Sequence, residues 1–311
     1  MESYAPLGFP LLSSDVQRKS ILTGLIGRHI GASRSPWMHE QEARAQGLAL
    51  TYTLFDFAAM GRDESYLCTQ LTAAAELGFA GVNITYPYKQ AVIDCLDDLS
   101  PSAARVGAVN TVKVTNGKLT GHNTDVVGFT ESIRKGLPGA PLARVLQFGA
   151  GGGGAATAQA LLELGTNTLF VCDTDNQRAA ALVAKLRQDF GASRAETTSD
   201  PATVIGSVDG LVNATPLGMA ASPQSPIDTS ILTRQQWVAD IVYFPLETEL
   251  LRGARARGCR TLDGSRMAVY QAAAAFEIFT GHGADRARML RSFVDYSTAG
   301  ASNSPNEGVH D

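Results

Sequence analysis

Short apolar runs recur along the chain, and each gives way to a polar or glycine-rich break and then to a segment of helical period. Residues 21–27, 51–57 and 81–85 read as strands. Between them, 37–46 reads as a helix with Ser35 as N-cap and Pro36 at the first helical position. Residues 63–77 read as a helix closed by Gly78, and 90–96 as a short one. Residues 106–112 and 118–125 form a predicted hairpin around Asn116-Gly117, and a helix opens at Gly128-Phe129 and runs through Lys135. The breaker-rich run 136–141 marks a junction between two domains. Beyond it, strands 144–148, 168–172, one near Ala195, 208–213, 238–243 and 261–264 alternate with helices 155–164 and 176–189. An Ala-rich helix, 267–279, ends at Gly281. The alternation predicts an α/β protein whose second half is a doubly wound parallel sheet. Residues 1–18 and the tail from 297 read as loose termini.

One break differs in kind. The run 145–148 leads into Gly149, Ala150, Gly151, Gly152, Gly153 and Gly154, and an Ala-rich helix follows. Strand, glycine turn and helix form a phosphate cradle: bare backbone lets N–H groups approach an anion, and the helix N-terminus favours its charge. Gly149, Gly151 and Gly154 fit G-x-G-x-x-G, a pattern that by itself also describes a flexible loop. The next strand ends at Asp173, where a dinucleotide fold places the carboxylate that accepts from ribose hydroxyls. That charge repels a 2′-phosphate, and the neighbouring Thr174 offers no guanidinium to hold one, so NAD is favoured over NADP. Asp173 could also cap the following helix. Arg178, in that helix's first turn, reads equally as an adenine-stacking residue or a solvated one.

In the first half, polar residues arrive at strand end after strand end: Ser33, Asn83, Thr85, Asn110 and Asp125. Open α/β sheets bind ligands outside the carboxyl ends of their strands, so the repetition points to a small-molecule site. Ser33 and Ser35 beside a helix N-terminus suit a carboxylate, although capping alone explains Ser35. Lys89 opens a predicted helix, where the dipole disfavours its charge. That setting suits acid–base work, or the residue is simply solvated.

Composition narrows the partners. The chain has 311 residues, 44% hydrophobic and 18% charged, with a net charge of −4. The acidic balance argues against nucleic acid, no apolar run reaches membrane-span length, and no secretory signal pattern precedes residue 19. Cys68, Cys95, Cys172 and Cys259 show no C-x-x-C spacing and read as reduced thiols of a cytoplasmic protein. The histidines show no metal-site spacing.

Ordered blocks then carry a resemblance. They are Ser33-Arg34-Ser35-Pro36 with His39, Gly81-Val82-Asn83-Ile84-Thr85-Tyr86-Pro87-Tyr88-Lys89, Gly107-Ala108-Val109-Asn110-Thr111, and Gly121-His122-Asn123-Thr124-Asp125 with Gly128-Phe129. The glycine turn, Asn213-Ala214-Thr215-Pro216-Leu217-Gly218-Met219, and Asp240-Ile241-Val242-Tyr243 with Met267 and Gln271 complete the set. The chain resembles shikimate dehydrogenases, most closely the NAD-dependent shikimate/quinate branch, from about Leu22 to Phe293. The resemblance implies a substrate domain over 19–126 plus 265–296, a Rossmann-type dinucleotide-binding domain over 127–264, and an active-site cleft between them. It implies that Ser33 and Ser35 hold a carboxylate, that Asn83, Thr85, Asn110 and Asp125 hold ring hydroxyls, and that Gln271 reaches back to the substrate. Lys89 and Asp125 would be the catalytic pair. Gly149 through Gly154, Asp173, Arg178, Thr215, Gly264 and Met267 would hold the cofactor.

The implied activity is hydride transfer between NAD and the C3 hydroxyl of shikimate, with quinate as a further substrate, by a monomer or homodimer. The chain departs from the family pattern at His29-Ile30-Gly31-Ala32, at Glu40, and at Asp173-Thr174-Asp175, where NADP enzymes commonly carry Asn-Arg-Thr. These departures favour an NAD-linked, catabolic relative. Two alternatives remain at this level: a dehydrogenase for an aminated ring acid, and a ligand sensor on the same fold without turnover.

Overall fold

A computed structural model describes residues 20–301; the arm expected at 1–18 and residues 302–311 of the expected tail lie outside them. Two six-stranded sheets organise the described residues. The first contains β1 (Ile21–Gly27), β2 (Leu50–Asp56), β3 (Phe79–Ile84), β4 (Asp98–Leu99), β5 (Thr111–Thr115) and β6 (Lys118–His122). Its order is β2-β1-β3-β5-β6-β4. β1 is parallel to β2 and β3, whereas β5 is antiparallel to both β3 and β6. That mixed pairing brings the end of β3, the start of β5 and the end of β6 to one edge of the sheet. The predicted polar strand ends converge there for this reason.

The second sheet contains β7 (Arg144–Phe148), β8 (Thr168–Cys172), β9 (Ala195–Thr197), β10 (Gly210–Asn213), β11 (Trp237–Asp240) and β12 (Arg260–Leu262). Its order is β12-β11-β10-β7-β8-β9, parallel throughout. The chain winds outward from β7 through β9, then returns to the other side of β7. The switch point of this doubly wound sheet is therefore the end of β7, where the glycine turn stands. α5 (Gly152–Glu163) and α6 (Asn176–Phe190) connect its first strands.

In the first half, α1 (Ser35–Ala45), α2 (Leu67–Glu76) and α3 (Pro101–Val106) accompany the strands, and α4 (Asp125–Gly136) leads to the second sheet. α7 (Glu249–Ala256) precedes β12. The chain then returns to the first half: α8 (Ser265–Thr280) packs on α4 and α1, and α9 (Arg286–Ala301) on α1 and α8. The crossing of α4 with α8 is close, because a Cβ at Gly128 would lie 2.8 Å from the Gln271 nitrogen. That approach fixes where Gln271 stands.

Several expectations need correction. The strand expected over 106–112 begins only at Thr111, because Val106 closes a helix over 101–106: Ser100 caps Ala103 N–H, Pro101 opens the helix, and Gly107 ends it at φ 70°. Residues 91–95 form a 3₁₀ turn rather than an α-helix, so the dipole argument for Lys89 loses its force. α6 is capped by Asp175 and not by Asp173. α7 and α9 went unforeseen, although Thr248 caps α7. The cysteines are not all reduced: Cys68 in α2 and Cys95 in the 3₁₀ turn are disulfide-bonded, and Cys172 and Cys259 are free. Packing of α2 against the turn brings together two residues separated by 27 positions, which no local spacing announces. No described helix is long and apolar enough to cross a membrane.

Candidate active site

At the shared edge of the first sheet, Lys89 Nζ lies 2.6 Å from Asp125 Oδ2. The lysine side chain is 22% exposed and the carboxylate 6%, so the pair is partly withdrawn from water yet reachable. Asn110 Nδ2 donates to the other carboxylate oxygen, Oδ1, at 2.9 Å. It also lies 2.9 Å from Thr124 Oγ1 and 3.5 Å from Gln271 Oε1. Residues 89, 110, 125 and 271 thus meet, although they come from four separate segments.

Asn83 is built into the scaffold beneath them. Its amide nitrogen donates to Asn110 O and Thr111 Oγ1, and its oxygen accepts from Tyr52. The sequence gives no local sign of Tyr52, since a buried aromatic at an alternate strand position looks like plain core. Its hydroxyl lies 2.8 Å from Asn83 and also bonds Ser35; burial raises its pKa, so the phenol stays neutral. Ser35 is the first helical residue rather than a cap, and its hydroxyl is turned to Tyr52. Ser33 Oγ accepts from the Ser35 N–H at 3.3 Å. Tyr243, 42% exposed, faces Lys89, Arg34 and Asp125 electrostatically. Desolvation of its hydroxyl raises its pKa, with Asp125 adding to the rise and the two cations opposing it.

The glycine turn faces this cluster. A Cβ at Gly152 would lie 3.4 Å from Lys89 Cβ, and Thr85, Lys89, Gly152 and Gly153 line a common cavity of about 140 Å³. The glycines differ in what they require. Gly149 has φ 98°, and a Cβ at Gly154 would sit 2.2 Å from Gly149 O, so backbone geometry demands both. A Cβ at Gly151 meets nothing within 4 Å, which leaves open space above the turn where a pyrophosphate would lie. Gly151→Ala is accordingly expected to leave the melting temperature unchanged and to weaken NAD binding about tenfold or more. Calorimetric titration alongside a thermal melt checks this. Unimpaired NAD binding would remove the turn from the cofactor site.

Asp173 Oδ2 accepts from Ala150 N at 2.7 Å, and Oδ1 from Asp175 N at 2.9 Å. The carboxylate therefore shapes the turn as well as flanking it. Arg178 stands 3.7 Å from Asp173 and 3.4 Å from Asp175, so it is ion-paired. Thr215 is fixed by Asn213, whose Oδ1 accepts both its N–H and its hydroxyl. Asn213 is held in turn by buried Asp240, whose pKa burial pushes up to about 6. A Cβ at Gly264 would strike the Ile241 and Val242 carbonyls, so α8 begins against the loop after β11. Met267 is buried near that start and also packs on α4 through its carbonyl, 2.9 Å from where a Gly128 Cβ would be. Among the described residues no His, Cys, Asp and Glu cluster could hold a metal.

His39 lies beneath the cluster, fully buried against Tyr52, Phe276 and Phe279, with no hydrogen-bond partner for either ring nitrogen. Burial pushes its pKa down to about 3. The unfolded chain, near 6.5, binds the proton more tightly, so stability falls as pH drops below that value. The expected loss from this residue is about 2 kcal/mol between pH 6.5 and pH 5. Asp240 works the other way, losing stability as pH rises through about 6, but it is common to both proteins in a comparison with His39→Phe. Denaturant unfolding at several pH values should show the variant lacking this component of the acid-side fall, whatever its repacking offset. Parallel pH profiles would contradict a buried neutral His39.

Comparison with known proteins places this arrangement. The model of the shikimate dehydrogenase substrate binding domain matches residues 25–112, and that of the shikimate 5'-dehydrogenase C-terminal domain matches 264–292. The chain is 49% identical to the shikimate dehydrogenase (NADP(+)) of Pseudarthrobacter chlorophenolicus, over 90% of this chain and 97% of that one. It is also 49% identical to the quinate/shikimate dehydrogenase (NAD(+)) of Corynebacterium glutamicum, over 88% and 98%. The solved quinate dehydrogenase from Corynebacterium glutamicum in complex with NAD superposes with a TM-score of 0.84, at 49% identity, covering 89% of this chain and 99% of that one.

Proposed function

The chain belongs to the shikimate dehydrogenase family, and on that premise we propose that it interconverts shikimate and 3-dehydroshikimate with NAD as the preferred hydride acceptor, and takes quinate as a further substrate. The observation that carries the reading is the Lys89–Asp125 pair, partly shielded and facing a glycine turn with open space above it. We assign 19–126 with 265–296 to the substrate side and 127–264 to the dinucleotide side.

Oxidation of a secondary alcohol removes a hydride and a proton. When bound, the nicotinamide ring supplies the hydride acceptor. The proton passes from the C3 hydroxyl to the hydrogen-bonded Lys89–Asp125 pair, and in the reverse direction the pair returns it to the forming alkoxide. Asp125 orients Lys89 through Oδ2, and Asn110 fixes the carboxylate through Oδ1. Ser33 and Ser35 bind the ring carboxylate at the start of α1, where N–H groups and the helix dipole add to the hydroxyls. Thr85, Asn110 and Gln271 orient the ring hydroxyls, while Asn83 acts mainly by holding Tyr52 and the Asn110 segment. Asp173 accepts from the adenosine ribose and disfavours a 2′-phosphate. Arg178, Thr215, Gly264 and Met267 complete the cofactor wall.

Initial rates with NAD on shikimate, quinate and a 3-amino analogue test the substrate assignment. Turnover of shikimate and of quinate is expected. Inertness toward both, with turnover of the amino analogue, would transfer the site to the aminated substrate.

A further inference from the structure

Gln147 stands on β7, in the middle of the second sheet, with its side chain fully buried. A primary amide in such surroundings is costly unless its donors and acceptor are used. Here they are. Nε2 donates to Gly149 O at 2.9 Å and to Gly154 O at 2.8 Å, and Oε1 accepts from Thr157 Oγ1 at 2.8 Å. The two carbonyls belong to the first and last glycines of the turn, and Thr157 lies on the first turns of α5. One amide therefore joins both ends of the glycine turn to the helix that follows. The separation of these ends decides where the N–H groups of residues 151–153 point, and these are the groups an anion would meet.

We infer that Gln147 is a positioning residue for the dinucleotide: its side-chain amide clasps Gly149 to Gly154 and so sets the shape of the pyrophosphate-binding turn. The inference rests on the proposed dinucleotide site, which nothing in the amide itself establishes. A glutamate of the same shape would set an oxygen against two carbonyl oxygens, and a methionine would fill the space without either donor.

The test uses the full chain with Gln147→Glu, Gln147→Met and the milder Thr157→Val, which removes only the hydroxyl that orients Oε1. Binding of NAD and of ADP-ribose, which lacks the nicotinamide, is measured by calorimetry beside a thermal melt, KM for each substrate and kcat. The expected result for Gln147→Met is a rise of about tenfold in the Kd of both dinucleotide probes, with Gln147→Glu larger and Thr157→Val smaller. KM for NAD should rise in step, while kcat and KM for shikimate stay within about twofold. A lower melting temperature with unchanged Kd values would reduce Gln147 to a structural role and overturn the inference, as would equal rises in KM for both substrates. If Gln147→Glu does not fold, Gln147→Met and Thr157→Val decide. Wild-type protein that binds NAD but turns over no ring acid would end the proposed function and leave this inference standing.

Discussion

Lys89→Met is expected to lower kcat/KM for shikimate oxidation about a thousandfold, within the range for loss of a positioned acid–base group. The substitution removes the only amine hydrogen-bonded to Asp125 among the described contacts and keeps the length of the stem. Binding of shikimate should change far less, because Ser33, Ser35, Asn110 and Gln271 are untouched. The expected pattern is therefore a collapse in kcat with KM within a few-fold, and calorimetric shikimate binding preserved. Asp125→Asn should give a smaller loss, about a hundredfold, since the amide still accepts one hydrogen bond but cannot hold the ammonium in place. A Lys89 variant that retains a tenth or more of wild-type kcat would move the proton chemistry elsewhere, with Tyr243, which interacts electrostatically with both Lys89 and Asp125, the next residue to test.

Cofactor choice carries the second large effect. NAD is expected to exceed NADP by about a hundredfold in kcat/KM, equivalent to about 3 kcal/mol of discrimination. The charge balance at the site is Asp173 and Asp175 against Arg178. The guanidinium is already ion-paired, so a 2′-phosphate would meet two carboxylates and an arginine that must leave them. Relatives at 49% identity bear both NADP(+) and NAD(+) names, so overall similarity does not decide the matter. Asp173→Asn retains an oxygen to accept from Ala150 N and removes the charge; it should narrow the preference to about tenfold or less. Comparable wild-type efficiencies with the two cofactors would refute the electrostatic reading of Asp173.

The parts of the candidate site that lie in short local patterns are legible in the sequence. The glycine turn, Asp173 at the next strand end, and the polar strand ends at Asn83, Thr85, Asn110 and Asp125 each announce themselves within a few residues. What the sequence could not show locally was which of them meet. Asn110 and Gln271 are separated by 161 positions, and their meeting depends on α8 crossing α4 at Gly128. Tyr52 and Gln147 stayed hidden because alternate positions on buried strands read as core, and only their partners reveal a polar task. Ser100-Pro101 did signal the start of α3, and that helix was there to be found. The Cys68–Cys95 bond was not, since it follows from the packing of two short segments.

On the proposed function, the Lys89–Asp125 site oxidises a ring alcohol with NAD. Mixing the purified protein with shikimate and NAD, and following reduced nicotinamide by absorbance against 3-dehydroshikimate by chromatography, tests it most directly. One reduced cofactor per molecule of the 3-dehydro acid, abolished in Lys89→Met, is the predicted result. Binding of both ligands without any reduction of NAD would contradict the account and make the protein a sensor built on this fold.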